Sequence, residues 1–393
     1  MAELKRGVGG VMLMLYGLGT TIGAGVFVLI GRVAAESGVY APFAFVLAAC
    51  VAGLSAFAFA GLSKRFPEAA GEAAFVREGF NAPRFGAAVG YAIAFAGLIS
   101  AATIAHGFAG YLARLISAPD VILLVGFAIL ITAIASWGVT QSVAIAGAIT
   151  VLEVGVLVVI CVLGAPAVLE RPETLLGALP PSTIDGWTAA LFGGLLAFYA
   201  FIGFEDIVNM AEEAKHPGRD MAIAIFGTLI VTTVLYLGVA IVALAAMPVA
   251  ELAASSAPLA DAFARATGFN ARPIEVIAVV SVLNGALIQV MKAARVLYGL
   301  ARNGTAPALL AYVHPRTQTP IVGICIASAI VLILALAFPL DQLARATALI
   351  TLAAFFLVNI AAARLTVGWR SGIAVAGAAA CLGLLAVEVV RRL

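Results

Sequence analysis

Uncharged apolar runs of membrane-spanning length recur along this sequence, and they constrain its fold more than any other feature. Residues 7–31 carry no charged side chain, and the same is true of residues 37–63, 121–152 and 221–250. One bilayer crossing by an α-helix takes roughly 20 predominantly apolar residues. The sequence therefore predicts an all-α polytopic membrane protein.

The composition argues against a water-soluble globule. Hydrophobic residues make up 64% of the chain and charged residues 11%, and the mean hydropathy is +1.14. A chain of this kind has too few polar side chains to cover its apolar surface in water, so the lipid bilayer is its expected partner. The net charge of +2 includes no basic tail, and no nucleic acid partner is expected.

The four cysteines lie inside apolar runs and lack the spacing of metal ligands or of a redox pair. They are interpreted as small packing residues, and we expect neither a metal nor a cofactor. These residues are Cys50, Cys161, Cys325 and Cys381.

Dividing the apolar runs at charged or Pro/Gly-rich breaks predicts about eleven transmembrane helices. Lys and Arg are more frequent in the loops on the side of the N-terminus, so the positive-inside rule predicts a cytoplasmic N-terminus. The predicted helices span residues 8–31, 41–63, 84–113, 120–138, 143–164, 187–208, 221–246, 273–301, 320–338, 344–363 and 372–390. The polar loops 63–80, 247–272 and 302–320 are long enough to cover a pathway or to serve as passive linkers.

Two of these helices contain glycine-rich interruptions at corresponding positions. Helix 1 contains YGLGTTIGAGVF at residues 16–27, and helix 6 contains AFYAFIGFED at residues 197–206. Unwound backbone inside a bilayer is tolerated where it lines a cavity, and paired interruptions are typical of transporters with inverted repeats. Close helix packing is the alternative interpretation of Gly19, Gly23 and Gly25.

A broken helix presents backbone groups of both polarities to a ligand. The half-helix that begins after the break offers N–H groups, which suit a carboxylate, and the half-helix that ends before it offers carbonyl groups, which suit an ammonium. The two breaks together favour a zwitterionic ligand.

Four motifs, in order along the chain, carry a resemblance to a known family. They are GTTIGAGVFVLIG at residues 19–31, RFPEAAGEAAFVREGF at 65–80, FYAFIGFEDIVNMAEEAKHPGRD at 198–220 and AARVLYGLARNGTAPALLAYVHPRTQTP at 293–320. The sequence resembles the amino acid–polyamine–organocation (APC) superfamily, closest to its cationic-amino-acid-transporter-like permeases.

The resemblance implies a leucine-transporter-type fold with broken helices 1 and 6. Helices 1–5 would form the first inverted repeat, residues 1–165, and helices 6–10 the second, residues 166–363. Residues 364–393 would add an eleventh, C-terminal helix.

The resemblance also implies where an amino acid binds. The substrate carboxylate would accept from the backbone N–H groups of Ala24 and Gly25, and the α-amino group would lie on the carbonyls of Thr21, Tyr199 and Ile202. Tyr199 and Phe201 would cover the substrate, with packing or lipid contact as the alternative role of these rings. The full predicted substrate site is Thr20, Thr21, Ile22, Gly23, Ala24, Gly25, Tyr199, Phe201 and Ile202.

Charged residues at membrane depth are costly and therefore indicate function. Glu153 lies roughly 15 Å into helix 5 and Lys292 roughly 14 Å into helix 8, so the equal depths predict an ion pair between them. A static salt bridge, or Glu153 alone and protonated or bound to a cation, are the alternatives. Glu205 is by resemblance a gating or proton-sensing carboxylate, with a solvated helix-end acid as the alternative.

The function expected from these features is secondary active transport of an amino acid by alternating access, coupled to protons, with no enzymatic activity and no catalytic residue. An exchanger or polyamine carrier is one alternative, and a receptor that binds amino acids without transporting them is another. The short loops favour a prokaryotic plasma membrane, and the sequence leaves the oligomeric state open.

Overall fold

A computed structural model describes residues 7–67, 71–137, 143–302, 307–317 and 319–392. Across these ranges the regular elements are helical, apart from one isolated bridge between Val8 and Ala214. The α-helices are α1 (Gly10–Ala24), α2 (Val26–Ser37), α3 (Ala41–Arg65), α4 (Gly71–Phe80), α5 (Pro83–Ala113), α6 (Asp120–Ser136), α7 (Val143–Glu170), α8 (Ile184–Phe201), α9 (Pro217–Ala246), α10 (Val249–Ala254), α11 (Pro258–Thr267), α12 (Arg272–Arg302), α13 (Ile321–Ala337), α14 (Leu340–Leu365) and α15 (Trp369–Arg392).

The apolar helices agree with the predicted membrane segments. Within the described residues, eight helical stretches are long and apolar enough to cross a bilayer, and three shorter apolar helices span residues 10–23, 120–136 and 321–337. Each predicted segment coincides with a helix or with two helical pieces, with ends that differ by several residues. The all-α prediction is confirmed, whereas the number of crossings, the inverted repeat and the boundaries at 165 and 363 remain predictions.

The long polar loops contain short helices that the apolar runs did not predict. Residues 63–80 include α4, and residues 247–272 include α10 and α11. Helix α11 begins with Pro at its first position and ends at Gly268, whose left-handed φ of 72° stops the helix. The third loop is described only in part and contains a 3-10 turn at Ala308–Ala311.

The two sides of the bundle are identified by their loop contacts. On the side where α1 begins, called the N-side here, the Gly7 N–H donates to Glu213 O at 3.0 Å and Lys215 N–H donates to Val8 O at 2.9 Å. The end of α3 lies on the same side, where Arg65 Nη1 donates to Leu365 O at 2.7 Å. The opposite side, called the far side, holds α10 and α11.

Helix α1 occupies the centre of the bundle, packed against α7, α9 and α12. Its glycines allow this approach. A Cβ at Gly19 would lie 2.4 Å from Thr150 Oγ1, and one at Gly23 would lie 2.8 Å from Ser281 O. Close packing therefore explains these two glycines, and the break lies one turn further on.

Candidate functional site

Helix 1 is interrupted at Gly25, as its glycine content predicts. Gly25 has φ −108° and ψ −85°, outside the helical region, and it separates α1 from α2. A Cβ at this position would lie 2.7 Å from the Cα of Ala200 in α8. Only glycine allows the two backbones to meet at this distance.

The predicted helix 6 begins as α8, which ends at Phe201, and its interruption lies at the next two residues. Ile202 is extended. Gly203 has a φ of 128°, a backbone conformation that residues with a Cβ atom rarely adopt. The chain continues as a short 3-10 segment, Phe204–Met210, rather than as an α-helix. Both predicted breaks are therefore present.

The two breaks contact each other directly. Thr20 Oγ1 donates to Gly203 O at 2.9 Å, and a Cβ at Gly203 would lie 2.7 Å from the carbonyl carbon of Thr20. Buried polar backbone from two helices thus meets in the middle of the bundle, where each group needs a partner from protein or ligand.

Tyr236 of α9 joins the two breaks, and it was not among the predicted site residues. Its hydroxyl lies 3.0 Å from both Thr21 O and Ala200 O, and its ring is 5.2 Å from that of Phe201. A hydroxyl has one hydrogen, so the two carbonyls share it. The available signal was a tyrosine in the middle of the uncharged run 221–250.

The predicted aromatic residues are buried in the same region. Tyr199 and Phe201 have no exposed surface, and the Tyr199 hydroxyl lies 2.8 Å from Ser100 Oγ of α5. This contact brings α5, which is the predicted helix 3, against the helix 6 break. Burial inside the bundle excludes the alternative that these rings face lipid.

Some predicted ligand groups already have protein partners in this structure. The Gly25 N–H donates to Ile22 O at 3.2 Å, and Ile202 N–H donates to Tyr199 O at 3.0 Å. The first N–H groups of α2, on Val26 and Phe27, have no acceptor within their own helix. Carbonyl oxygens accept two bonds each, so those of Thr21 and Tyr199 retain capacity. Ala24 ends α1, and its side chain lies outside the described part of the chain.

The predicted ion pair between Glu153 and Lys292 is wrong. Lys292 Nζ donates to Asp206 Oδ1 at 2.6 Å. Asp206 follows the helix 6 break, and the 3-10 segment places it against α12. The Glu153 carboxyl lies instead beside Gly23, level with Ser281 and Gly285.

Glu153 and Lys292 do not lie at the same depth in the bundle. Lys292 follows Gly285 by about seven residues, roughly 10 Å of helix rise towards the N-side. The predicted ends from which the two depths were counted, 143 and 301, agree with α7 and α12 within one residue, so these two helix ends themselves lie at different depths.

Glu153 is fully buried beside helix 1. A Cβ at Gly23 would lie 3.5 Å from its Oε1, and one at Gly19 would lie 3.9 Å from its Oε2. Ser281 and Asn284 of α12 face the carboxyl, yet among the described residues neither oxygen has a hydrogen-bond partner of good geometry. An unpaired carboxylate is very costly in such a place, so this geometry suits a carboxyl that holds a proton or a cation.

Glu205 holds the helix 6 break together. Its Oε2 accepts from the Gly203 N–H at 2.7 Å, and the side chain is buried. This contact excludes the alternative of a solvated acid at a helix end. The gating role of Glu205 remains a prediction.

A third buried acid, Glu72, lies outside the predicted site. It is on α4, whose first residue, Gly71, packs so closely on the 3-10 segment that a Cβ would lie 2.2 Å from Val208 Cγ2. Burial raises the pKa of Glu72 to about 7, against the opposing effect of the Lys292 charge. By sequence Glu72 belongs to a polar loop, and nothing in its local pattern predicts this burial.

Comparison with known proteins identifies the family. The family model described as amino acid permease matches residues 9–379, nearly the whole chain. The chain belongs to the amino acid permease family. With its apolar helices, this membership makes it an integral membrane protein, and the predicted APC resemblance is confirmed.

Curated relatives of this permease include proteins from a plant and from a bacterium. It is 30% identical over 371 residues to the mitochondrial cationic amino acid transporter 3 of Arabidopsis thaliana, covering 88% of this chain and 60% of the relative. The chloroplastic cationic amino acid transporter 9 of the same plant is 29% identical, with 80% and 58% covered. The branched-chain amino acid permease BcaP of Bacillus subtilis (strain 168) is 27% identical, with 91% and 80% covered. The chain thus spans about 60% of the length of the two plant relatives.

Proposed function

We propose that this permease is a secondary active transporter that moves an amino acid across the membrane by alternating access, coupled to protons. The proposal depends on one observation: the helix that is broken at Gly25 and the helix that is broken at Gly203 contact each other at their breaks. It brings helix ends of both polarities to one buried place, where a small zwitterion replaces lost backbone partners. The names of the curated relatives, which include transporters of cationic and branched-chain amino acids, support this substrate class.

The substrate carboxylate is proposed to bind the first N–H groups of α2, on Val26 and Phe27. These groups follow the break directly and carry the partial positive charge of a helix N-terminus. The ammonium group would lie on the carbonyls of Thr21 and Ile202, and Phe201 would cover the site. This assignment moves the carboxylate slightly from the predicted Ala24 and Gly25.

Glu153 is the proposed coupling group, because its buried carboxyl has room for a proton and touches the glycines of α1. Loss of that proton would place a negative charge beside helix 1 and shift the balance between conformations. Transport rather than catalysis fits this set of groups. We place the N-side in the cytoplasm of a prokaryotic cell.

The experiment is uptake of labelled L-leucine and L-arginine into proteoliposomes that contain the purified protein. We expect uptake of at least one of them, and faster uptake when the outside is more acidic than the lumen. Binding in a thermal-shift assay without flux would instead identify a receptor. Flux that requires an amino acid inside the vesicles would identify an exchanger.

Two variants connect flux to the site. Gly25→Ala introduces a Cβ 2.7 Å from the Cα of Ala200, and we expect uptake to fall by more than about tenfold. The matched control is Gly53→Ala on α3, where a Cβ meets no atom within 4 Å. Glu153→Gln is expected to retain uptake and lose its dependence on the proton gradient. Equal activity of both glycine variants would contradict the proposed site.

A further inference from the structure

Glu72 is buried at the point where the N-side loop helix meets the break in helix 6. Its side chain is 4% exposed, although α4 is short and lies outside the apolar membrane segments. The aromatic rings of Phe75 and Phe204 both pack on Phe59, with centroids 6.1 and 5.8 Å away, and so exclude water between α4 and the 3-10 segment.

The two neighbouring acids have well-placed hydrogen-bond partners. Asp206 accepts from Lys292 at 2.6 Å, and Glu205 accepts from the Gly203 N–H at 2.7 Å. The Oε1 of Glu72 is buried and has no hydrogen-bond partner within the described ranges. Three carboxyl groups therefore surround one ammonium. Within the described ranges Asp206 Oδ2 also lacks a hydrogen-bond partner, but Asp206 forms the ion pair with Lys292 through its other oxygen, whereas Glu72 has no ion pair there.

Among the described residues, the charged groups on the other elements that pack against α4 do not compensate Glu72. Arg84 of α5 and Arg364 of α14 are exposed, and Arg364 Nη1 reaches the carbonyl of Gly79 at the other end of α4. The charges that act on Glu72 are those of Lys292, Asp206 and Glu205. The first is attractive and the other two are repulsive.

We propose that Glu72 is a proton-binding residue that keeps the N-side of the permease closed while it is neutral and favours opening when it ionises. Contact between α4 and the 3-10 segment buries the carboxyl, and separation of the two admits water to it. The inference rests on the alternating access proposed above. It adds a titrating group on the N-side, distinct from Glu153.

The direction of the pH effect follows from linkage. Burial raises the pKa of Glu72 to about 7 in the closed arrangement, against 4.5 for an exposed glutamate. The closed state therefore binds the proton more tightly, and its advantage is present below that range and lost as the pH rises from about 4.5 to about 7. Opening gains at most about tenfold per pH unit in this window and is constant above it.

The test is amide hydrogen exchange of the full-length protein in lipid nanodiscs between pH 5 and 9, with labelling times scaled to the intrinsic exchange rate. In the wild type, amides of α4 and of residues 204–210 are expected to exchange faster as the pH rises to about 7. In Glu72→Gln they should remain at the slow, low-pH level throughout. Glu78→Gln is the matched control, because Glu78 lies on the same helix with its side chain 38% exposed.

The proposal fails if the wild type shows no pH dependence in this window, if Glu72→Gln keeps it, or if Glu78→Gln also removes it. The wild-type profile alone decides if Glu72→Gln does not fold. A second variant, Lys292→Met/Asp206→Asn, should move the midpoint to higher pH, because Lys292 is the stronger of the two influences on Glu72. Exchange needs no transported substrate, so a failure of amino acid flux and a failure of this inference are separate results.

Discussion

Two buried clusters of charged side chains lie at opposite sides of the bundle, and they differ in charge balance. On the far side, Arg345 of α14 bonds to Glu36 at 2.7 Å and to Glu388 at 3.1 Å, and Arg391 bonds to Glu36 at 2.9 Å. The N-side cluster sets three carboxyl groups against Lys292. A balanced cluster satisfies its charges at any neutral pH, whereas an unbalanced one is relieved by taking up a proton.

The balanced cluster connects elements from distant parts of the sequence. Glu36 lies at the end of α2, after the helix 1 break, and its partners come from α14 and α15. The far-side half of helix 1 is thereby attached to the C-terminal helix. The N-side cluster instead connects helix 6, α4 and α12 at a place where titration changes the interactions.

The largest effect should come from breaking the balanced cluster. Arg345→Met removes the guanidinium that bonds to both Glu388 and Glu36, in a place where the arginine side chain is 8% exposed. Removing one partner of a buried pair costs about 3–5 kcal/mol of stability. Thermal unfolding in detergent should show a large fall in Tm that is similar at pH 6 and pH 8. Arg32→Met, at an exposed position on α2, is the control and should change little.

Removing the ammonium of the unbalanced cluster should cost somewhat less and depend on pH. Lys292→Met leaves Asp206, 1% exposed, unpaired beside two other carboxyl groups, with an expected loss of about 3 kcal/mol at pH 8. At pH 6 the loss should be smaller, because Glu72 is then neutral. Equal losses at the two pH values would contradict the contrast between the clusters.

Removing the uncompensated acid should stabilise the protein. Ionised Glu72 destabilises the closed form as the pH rises from about 4.5 to about 7, so Glu72→Gln is expected to raise stability by about 2 kcal/mol at pH 8 and by little at pH 5. Denaturant unfolding at both values measures this difference. A variant less stable than the wild type at pH 8 would show that the Glu72 carboxylate has a partner.

The smallest effect is expected from the outer member of the balanced cluster. The Arg391 side chain is 32% exposed and shares Glu36 with Arg345. Arg391→Gln should cost no more than about 1 kcal/mol, as is usual for exposed ion pairs. A loss as large as that of Arg345→Met would mean that the cluster acts as one unit, which a double variant would detect as non-additivity.

Helix positions and both breaks could be predicted because they depend on local chemistry. The absence of charge over residues 7–31 predicts a helix in lipid, and the glycines around Gly25 predict where that helix is interrupted. Gly203 does the same for helix 6. The contact partners of those breaks could not be predicted. Tyr236 joins them from α9, and nothing in its own segment specifies which carbonyls it faces.

Charged residues at membrane depth were recognised as significant, but their pairing was not predictable. Distance along one helix follows from counting residues, whereas the depth of one helix relative to its neighbours depends on packing. Lys292 therefore pairs with Asp206, because the break in helix 6 turns the chain towards α12. Glu153 lies beside Gly19 and Gly23 instead.

The sequence by itself determined that this permease is a bundle of apolar helices with two glycine interruptions, because lipid exposure and backbone freedom are properties of each segment. Only the tertiary structure decided which acids have partners. Glu72 is in a polar loop by sequence and becomes buried because α4 packs on the redirected end of helix 6. Burial and charge balance depend on groups distant in the chain, and the fold alone brings those groups together.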